Sequence, residues 1–221
     1  MTSCFVSKEI QVKSSDRVRN HGEVLTAKRE VNAMLDLVKN ESERIDSRFL
    51  EPACGDGNFL VAILERKLNT VVARYRTKQA DFEAQMLSAI SSIYGIDLLQ
   101  DNIELAINRL FEIAVDVYKK SLRKQPSDDY KKIIRYILSK NIQQGDSLNG
   151  IDKIIFTQWT LVSYQFKREE YSFNQLNQQA EILNTPLFAS LTNEKGEEVY
   201  IPEPIKSYPI THYMKLMEGT V

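Results

Sequence analysis

The sequence predicts an α/β protein built on a parallel sheet. Short apolar segments with strand character occur at 48–51, 92–97 and 141–144, and amphipathic helical repeats separate them. A turn with two glycines directly follows the first of these segments. Strands that alternate with helices favour a parallel, doubly wound sheet. The last third of the chain departs from this alternation, and there we expect an irregular, partly β appendage.

Composition and charge narrow the class of protein. The 221 residues suffice for one substantial core, alone or with an appendage. Two cysteines and two histidines leave little for a disulfide framework or a metal site. No apolar run is long enough to span a bilayer, and the N-terminus lacks the apolar core of a secretory signal, so we expect a cytoplasmic protein. The net charge of −1 is unusual for a protein that grips DNA alone.

The elements follow from apolar spacing and from turn residues. Residues 1–20 form a polar arm, and a helix is expected from Ala27 to Lys39 with Thr26 as its N-cap. Further helices are predicted at 59–76, 79–91, 101–120 and 130–138. The strand at 141–144 is weakly marked, whereas 152–156 has the apolar character of a clearer strand.

The C-terminal part has a different pattern. Residues 161–167 alternate apolar and polar side chains, as a half-buried strand does, and 173–183 fits a helix. A hairpin is expected around 193–196, and the three prolines between 202 and 209 predict an extended tail. The sequence thus divides into an arm at 1–20, a ligand-binding domain at 21–160 and an appendage at 161–221 that we expect to be a docking segment.

The turn at 52–59 is the first candidate site. Gly55 and Gly57 allow positive φ and a close approach of the backbone to a ligand. The following helix directs its first N–H groups at whatever occupies the turn, and an open α/β sheet binds its ligands at this edge. A plain strand–helix turn is the alternative.

Residues at the ends of the next two strands extend this site. Asp97 ends its strand where an acid can accept hydrogen bonds from both hydroxyls of a ribose, and Leu98 can pack on an adenine. Asp146 follows the third strand, in a position to meet the adenine amino group. The alternatives are a helix-start acid for Asp97 and a simple Gly-Asp turn for Asp146. The ribose acid follows the glycines by about twice the roughly 20 residues of dinucleotide sites, and the third glycine is absent, so NAD binding is disfavoured.

These segments resemble adenine-N6 DNA methyltransferases of restriction–modification systems. EPACGDGNF is similar to the family's S-adenosylmethionine (SAM) loop, and HGEVLTAKREVNAML to the element before it, with Ala27 where the family has proline. YGIDLLQDNIELAINRL resembles the ribose-binding strand and helix, and NIQQGDSL the Gly-Asp segment near adenine. The four elements occur in family order over about residues 20–150. The resemblance implies a Rossmann-like class I SAM-dependent methyltransferase sheet of roughly seven strands with flanking helices.

The resemblance also implies a set of cofactor contacts. The residues that would bind SAM belong to the four elements: Gly22, Thr26, Glu51, Pro52, Ala53, Cys54, Gly55, Asp56, Gly57, Phe59, Asp97, Leu98 and Asp146. Gly22 and Thr26 would line the methionine end, Glu51 would meet the amino group, and the backbone of 53–59 would wrap the methionine. Phe59 would pack beside the cofactor, with an ordinary core aromatic as the alternative.

The family's catalytic element is missing. Asp, Asn or Ser followed by Pro-Pro and Tyr or Phe normally accepts hydrogen bonds from the target amino group and stacks on the flipped base. The corresponding strand here runs into Thr157-Gln158-Trp159-Thr160, and Pro-Pro occurs nowhere in the chain. Trp159 is a weak candidate for base stacking, and a buried core position is favoured for it. No catalytic residue is identified.

Three interpretations remain open. In the first, the chain is the SAM-binding half of a split DNA adenine methyltransferase, and a partner protein supplies Asn-Pro-Pro-Tyr and target recognition. The others are a non-catalytic SAM-sensing scaffold and a stand-alone methyltransferase with a different acceptor. Eight lysines and arginines between Lys119 and Lys140 fit a contact with DNA or an acidic partner, or simply a solvated helical face.

Overall fold

The computed structural model describes residue 19 and residues 26–150, 153–173 and 203–218. Its helices are α1 Lys28–Leu37, α2 Lys39–Glu43, α3 Asn58–Tyr75, α4 Gln79–Ser91, α5 Gln100–Leu122 and α6 Asp128–Asn141. Its strands are β1 Phe49–Glu51, β2 Ile93–Asp97, β3 Ile142–Gln144, β4 Ile155–Val162, β5 Gln165–Ser172 and β6 Lys206–His212. The predicted helix at 173–183 falls almost entirely outside the described residues, and the predicted hairpin around 193–196 falls outside them altogether.

The first three strands form a parallel sheet in the order β1-β2-β3. Leu50 lies opposite Tyr94, and Ile96 lies opposite Gln143. The described part of the chain is therefore a mixed α/β structure with a parallel three-stranded sheet and flanking helices. All three strands end at the same edge of the sheet, which brings Glu51, Asp97 and the residues after Gln144 together.

The two faces of this sheet are covered differently. Ile93 belongs to the large core that the described helices share, whereas Tyr94 and Ile96 belong to a smaller cluster with Ile154 and Phe156. Successive residues of a strand point to opposite faces, which explains the division. On the face to which Tyr94 and Ile96 point, the described cover consists of Ile154, Phe156 and Phe173 and not of a second helical layer. The doubly wound arrangement is therefore not seen in the described residues. None of the described helices combines the length and apolarity that crossing a membrane requires.

Lys67 of α3 fixes the start of both β1 and β2. Its side chain is fully buried, and four oxygens lie within hydrogen-bond distance of its Nζ, more than its three N–H groups need: the carbonyls of Arg44 and Ile45 at 3.1 Å each, the Ser47 carbonyl, and Ser92 Oγ at 2.7 Å. A buried amino group, charged or neutral, is tolerated where it is hydrogen-bonded in this way. The contacts tie the loop before β1 to the residue before β2.

The expected strand at 152–156 does not continue the parallel sheet. Instead β4 pairs antiparallel with β5 over its whole length, with Ile155 opposite Ser172 and Val162 opposite Gln165. Only residues 145–154 separate β3 from β4. A parallel crossover needs about a dozen residues or more, whereas two antiparallel strands need only a tight turn. The predicted boundary at 160/161 lies inside β4, and the change of sheet type comes before it.

The expectation of one strand over 161–167 is also wrong. A turn at Ser163 and Tyr164 divides this segment between β4 and β5, and Ser163 adopts a positive φ of 58°. The extended tail is confirmed over Lys206–His212, where β6 contains Pro209 and pairs with β5, whereas Pro202 lies outside the described residues. The pairing is irregular between Phe166 and Arg168, close to the position where proline has no N–H to donate.

A buried glutamate joins the second sheet to the helices. Glu83 of α4 accepts hydrogen bonds from Tyr118 at 2.6 Å and from Tyr213, directly after β6, at 2.8 Å. Its backbone carbonyl accepts from Tyr130 at 2.9 Å. All four residues are buried. The end of the described chain is therefore anchored in the helical core.

Candidate functional site

A cavity of about 500 Å³ lies at the carboxyl ends of the three parallel strands. Its volume is within the range of roughly 300–1,000 Å³ typical of small-molecule sites. The residues that line it come from the segment before α1, from α1, and from the chain that follows each strand: Thr26, Met34, Glu51, Pro52, Ala53, Cys54, Gly55, Asp56, Asn58, Phe59, Asp97, Leu98, Leu99, Asn102, Gly145, Asp146, Ser147 and Leu148. Sequence-predicted residues from all four elements therefore share one cavity.

The loop after β1 is held by its own backbone. The Cys54 N–H donates to the Ile96 carbonyl at 2.8 Å, and the Gly57 N–H donates to the Cys54 carbonyl at 2.9 Å. Gly55 and Gly57 have φ of 53° and 88°, which side chains disfavour. A Cβ on Gly57 would also lie 3.0 Å from the Cβ of Ala106. The loop needs both glycines for conformation, and Gly57, though not a cavity-lining residue, lets the loop pack on α5.

Cys54 packs over the middle of β2. A Cβ on Gly95 would lie 3.0 Å from the Cys54 Sγ, so the thiol fills the space that the glycine leaves. Burial and the nearby carboxylates, with burial the larger cause, raise the pKa of the Cys54 thiol to about 12. A thiol that stays protonated is a poor nucleophile, which indicates a packing role.

The Asp97 carboxylate organises the centre of the site. Its Oδ2 accepts from the Gly55 N–H at 2.9 Å, and its Oδ1 accepts from the Leu99 N–H at 2.9 Å and from Asn102 Nδ2 at 3.1 Å. A carboxylate has about four acceptor positions, so about one, on Oδ2, remains for a ligand. Asp97 thus acts as the helix-start acid that the sequence left open, and it also lines the cavity.

Like Asp97, Asp146 both accepts local backbone hydrogen bonds and lines the cavity. Its Oδ1 accepts from the N–H groups of Leu148 and Asn149 at 2.9 Å each, and these bonds, with one from the Asn149 side chain, lower the pKa of the Asp146 carboxyl. The Gly145 N–H donates to the Asp97 carbonyl at 2.9 Å. The Gly-Asp turn is therefore present, and it places Asp146 beside Asp97 on the wall of the cavity.

The charge of the cavity lining is negative. Glu51, Asp56, Asp97 and Asp146 line it, and its described lining includes no lysine or arginine. Burial raises the pKa of the Glu51 carboxyl, with an opposing effect from a hydrogen bond to the Ala53 backbone. A cation placed near Glu51 would offset that desolvation. The lining therefore suits a cationic ligand and disfavours one rich in phosphate.

Helix α5 carries two contacts that the sequence analysis missed. Asn102 binds Asp97, and Arg109 donates through NH1 to the Asp56 carbonyl at 2.7 Å and through NH2 to Asn58 Oδ1 at 2.9 Å. Arg109 also forms an ion pair with Asp56 at 3.0 Å. The two residues are seven positions apart and share one helix face. The sequence interpretation followed the apolar stripe of this helix, and the polar residues along its side were the available signal.

The remaining predicted residues lie at the rim or outside the description. Thr26 lines the cavity and its carbonyl accepts from Asn58 Nδ2 at 3.4 Å, but Ala27 and not Thr26 is the N-cap of α1. Phe59 lines the cavity and packs against the core, as the alternative of a core aromatic expects, and its contact with a cofactor stays a prediction. Leu98 is 53% exposed at the rim. Gly22 lies outside the described residues.

Trp159 lies away from the cavity. It is buried, its Nε1 donates to Asn141 Oδ1 at 2.9 Å, and its ring makes edge contacts with Tyr136 and Phe166. A hydrogen-bonded indole between two aromatic rings is a packing arrangement. The structure gives Trp159 the core position that the sequence favoured.

The cavity is therefore defined by its residues, its charge and its place at the end of the sheet. Loop backbone, three strand ends and one helix face all contribute to it. Comparison of the chain with models of known protein families, with curated proteins and with solved structures found no match.

Proposed function

We propose that the cavity binds S-adenosylmethionine and that residues 21–160 contain a Rossmann-like class I SAM-dependent methyltransferase domain. The observation that carries the proposal is the set of carboxylates in the cavity at the ends of β1, β2 and β3. SAM combines a nucleoside with two positive groups, the sulfonium and the ammonium. An acidic lining favours such a ligand over NAD or a nucleoside triphosphate, whose phosphates it would repel.

Each part of SAM has a proposed contact. The ammonium meets Glu51, whose ionised form it stabilises, and the methionine carboxylate lies near the first N–H groups of α3, which has no side-chain cap. Asp97 accepts one ribose hydroxyl through the remaining position on Oδ2. Leu98 packs on the adenine, and Asp146 accepts from its amino group.

The reaction we propose is methylation of adenine N6 in DNA, carried out with a partner chain. SAM would supply the methyl group: the amino nitrogen would attack the methyl carbon in line as the bond from that carbon to sulfur breaks, and the methylated amino group would release its proton to water. S-adenosylhomocysteine is released. The acceptors for the amino group and the ring that stacks on the base come from a partner carrying Asn-Pro-Pro-Tyr and target recognition, because this sequence has no such motif.

Calorimetry with SAM tests the cofactor proposal. We expect the wild-type chain to bind SAM more tightly than NAD or ATP. We expect Asp97→Asn to weaken SAM binding, because the amide has one acceptor oxygen and cannot accept from Gly55, Leu99 and Asn102 as both carboxylate oxygens do now. Asp116→Asn is the matched control, because it makes the same chemical change on α5 in an exposed ion pair with Lys120, at a residue that does not line the cavity. Absence of SAM binding, or tighter binding of the phosphate ligands, would overturn the proposal.

Transfer of a tritiated methyl group to DNA tests the partner. We expect incorporation only when a co-purified chain with Asn-Pro-Pro-Tyr is present. Incorporation by this chain alone would refute the split arrangement and favour a stand-alone enzyme. SAM binding that changes association with a partner, without transfer to DNA, would instead support the scaffold interpretation.

A further inference from the structure

Arg109 holds the loop after β1 at two separated positions. Its NH1 reaches both the carbonyl and the carboxylate of Asp56, and its NH2 reaches the side chain of Asn58. Asn58 in turn donates to the carbonyl of Thr26 at 3.4 Å. A single side chain of α5 therefore connects two parts of the cavity wall that are far apart in sequence.

The same helix face supports the rest of the site. Asn102 bonds to Asp97, and Ala106 lies directly beneath Gly57. Residues 102, 106 and 109 lie on one side of a helix with 3.6 residues per turn. Ala106 packs on the loop, and Arg109 is the member of this row that hydrogen-bonds it, at the point where α3 begins.

We infer that Arg109 is a positioning residue that sets the conformation of the loop at Gly55–Asn58 for cofactor binding, an inference that rests on the proposed function. A planar guanidinium can direct separate N–H groups at Asp56 and Asn58, whereas a lysine amine is a single point charge. Arg109 acts through the loop and has no place among the residues that line the cavity.

Replacing Arg109 can change the affinity for SAM for two reasons, and the two reasons predict changes in opposite directions. Removing its charge leaves Asp56 without its ion-pair partner, and by charge alone this strengthens the attraction for a cationic ligand. Loss of loop positioning weakens binding instead, because SAM must then order the loop. The direction of the change in affinity therefore separates positioning from general electrostatics.

The experiment compares Arg109→Met and Arg109→Lys with Arg135→Met. Arg135 of α6 is a matched control because its guanidinium likewise donates to an asparagine side chain, that of Asn108 on α5, and neither residue lines the cavity. In the ligand-free protein, hydrogen exchange is measured at the Gly55 and Gly57 amides, which are bonded to Asp97 and Cys54. Calorimetry then gives the Kd for SAM.

We expect faster exchange at both glycines in Arg109→Met and a Kd weaker on the order of tenfold, the size expected for lost charge-assisted hydrogen bonds. Arg109→Lys falls between it and the wild type, and it replaces Arg109→Met if that variant does not fold. Arg135→Met leaves both measurements unchanged. Unchanged exchange, or a Kd that is unchanged or tighter, would overturn the inference. A wild-type chain that binds no SAM would overturn the proposed function, and the exchange rates would still decide whether Arg109 orders the loop.

Discussion

Gly95→Ala tests whether the contact between β2 and the loop is as tight as the structure indicates. The added Cβ would lie 2.8 Å from Leu60 Cδ1, 3.0 Å from Cys54 Sγ and 3.1 Å from Cys54 Cβ. The Leu60 methyl is the end of a side chain, but it lies in the core with no exposed surface. Cys54 is less able to move, because its N–H is bonded to the Ile96 carbonyl.

The size of the effect follows from two opposing terms. Overpacking of a core costs about 1–3 kcal/mol. Alanine restricts the unfolded chain more than glycine does, which returns about 0.4–1 kcal/mol, since Gly95 is not in the positive-φ region. We therefore expect a net loss of about 1–2 kcal/mol in the free energy of unfolding. For a domain of this size that lowers Tm by roughly 2–8 °C.

Thermal and urea denaturation measure this loss, and a second substitution identifies its cause. In a Cys54→Ala background the 3.0 Å contact with Sγ no longer exists. The cost of Gly95→Ala should then be smaller than in the wild type, a non-additivity expected of residues in contact. Stability equal to the wild type in Gly95→Ala, or the same cost with and without the Cys54 thiol, would refute the packing argument.

Three further predictions concern titration and anchoring. Burial lowers the pKa of Lys67 from its ordinary 10.5 to about 7, so between these pH values Lys67 is protonated in the unfolded chain and largely neutral in the folded one. The contribution of Lys67 to stability therefore increases as pH rises from 7 to 10.5. Urea unfolding of the wild type and of Lys67→Met over this range should show a different dependence of the free energy of unfolding on pH. The raised pKa of Glu51 means that affinity for SAM should fall as pH is lowered through a value above the ordinary 4.5, and calorimetry of Glu51→Gln should show a flatter profile. Tyr213→Phe removes the 2.8 Å bond to Glu83 and should cost about 1–3 kcal/mol in urea unfolding, while the Kd for SAM stays unchanged because neither residue lines the cavity.

The parts of the fold that the sequence predicted depend on local signals. The strand before Pro52, the glycine turn and the apolar repeat of α3 follow one another directly along the chain, so short-range patterns suffice to place them. Asp97 and Asp146 could be assigned to the cavity because the carboxyl ends of parallel strands meet at one edge. For these two residues, the parallel order of the strands is enough to predict that they lie close together.

The local sequence pattern does not determine whether the strands of the second sheet pair in parallel or antiparallel. The apolar segment at 152–156 and the alternation at 161–167 have strand character, and both patterns are compatible with either a parallel or an antiparallel partner. The short connection after β3 and the turn at Ser163 decide for the hairpin. Arg109 was missed for a related reason: its partners Asp56 and Asn58 are more than 50 positions away, and nothing near it in sequence identifies them.

The basic cluster at 119–140 bears on how DNA would reach the cofactor. Several of its charges are paired or covered within the described helices: Lys120 with Asp116, Lys131 with Asp128, Lys132 with Asp129, and Arg135 over the ring of Phe111. Each pair reduces the charge available to phosphates, and this favours the solvated helical face.

The aromatic residues of the described chain support the proposal that a partner receives the target base. The aromatic ring in the described lining is Phe59, which also packs on the core, and Trp159 lies between Tyr136 and Phe166. Trp159 cannot receive a flipped base without rearrangement of the core, and Phe59 is the ring that the resemblance places beside the cofactor. A higher concentration of DNA would supply neither a stacking ring nor acceptors for the amino group. A partner chain can supply both, and for that reason it is the component to add first to the methyl-transfer assay.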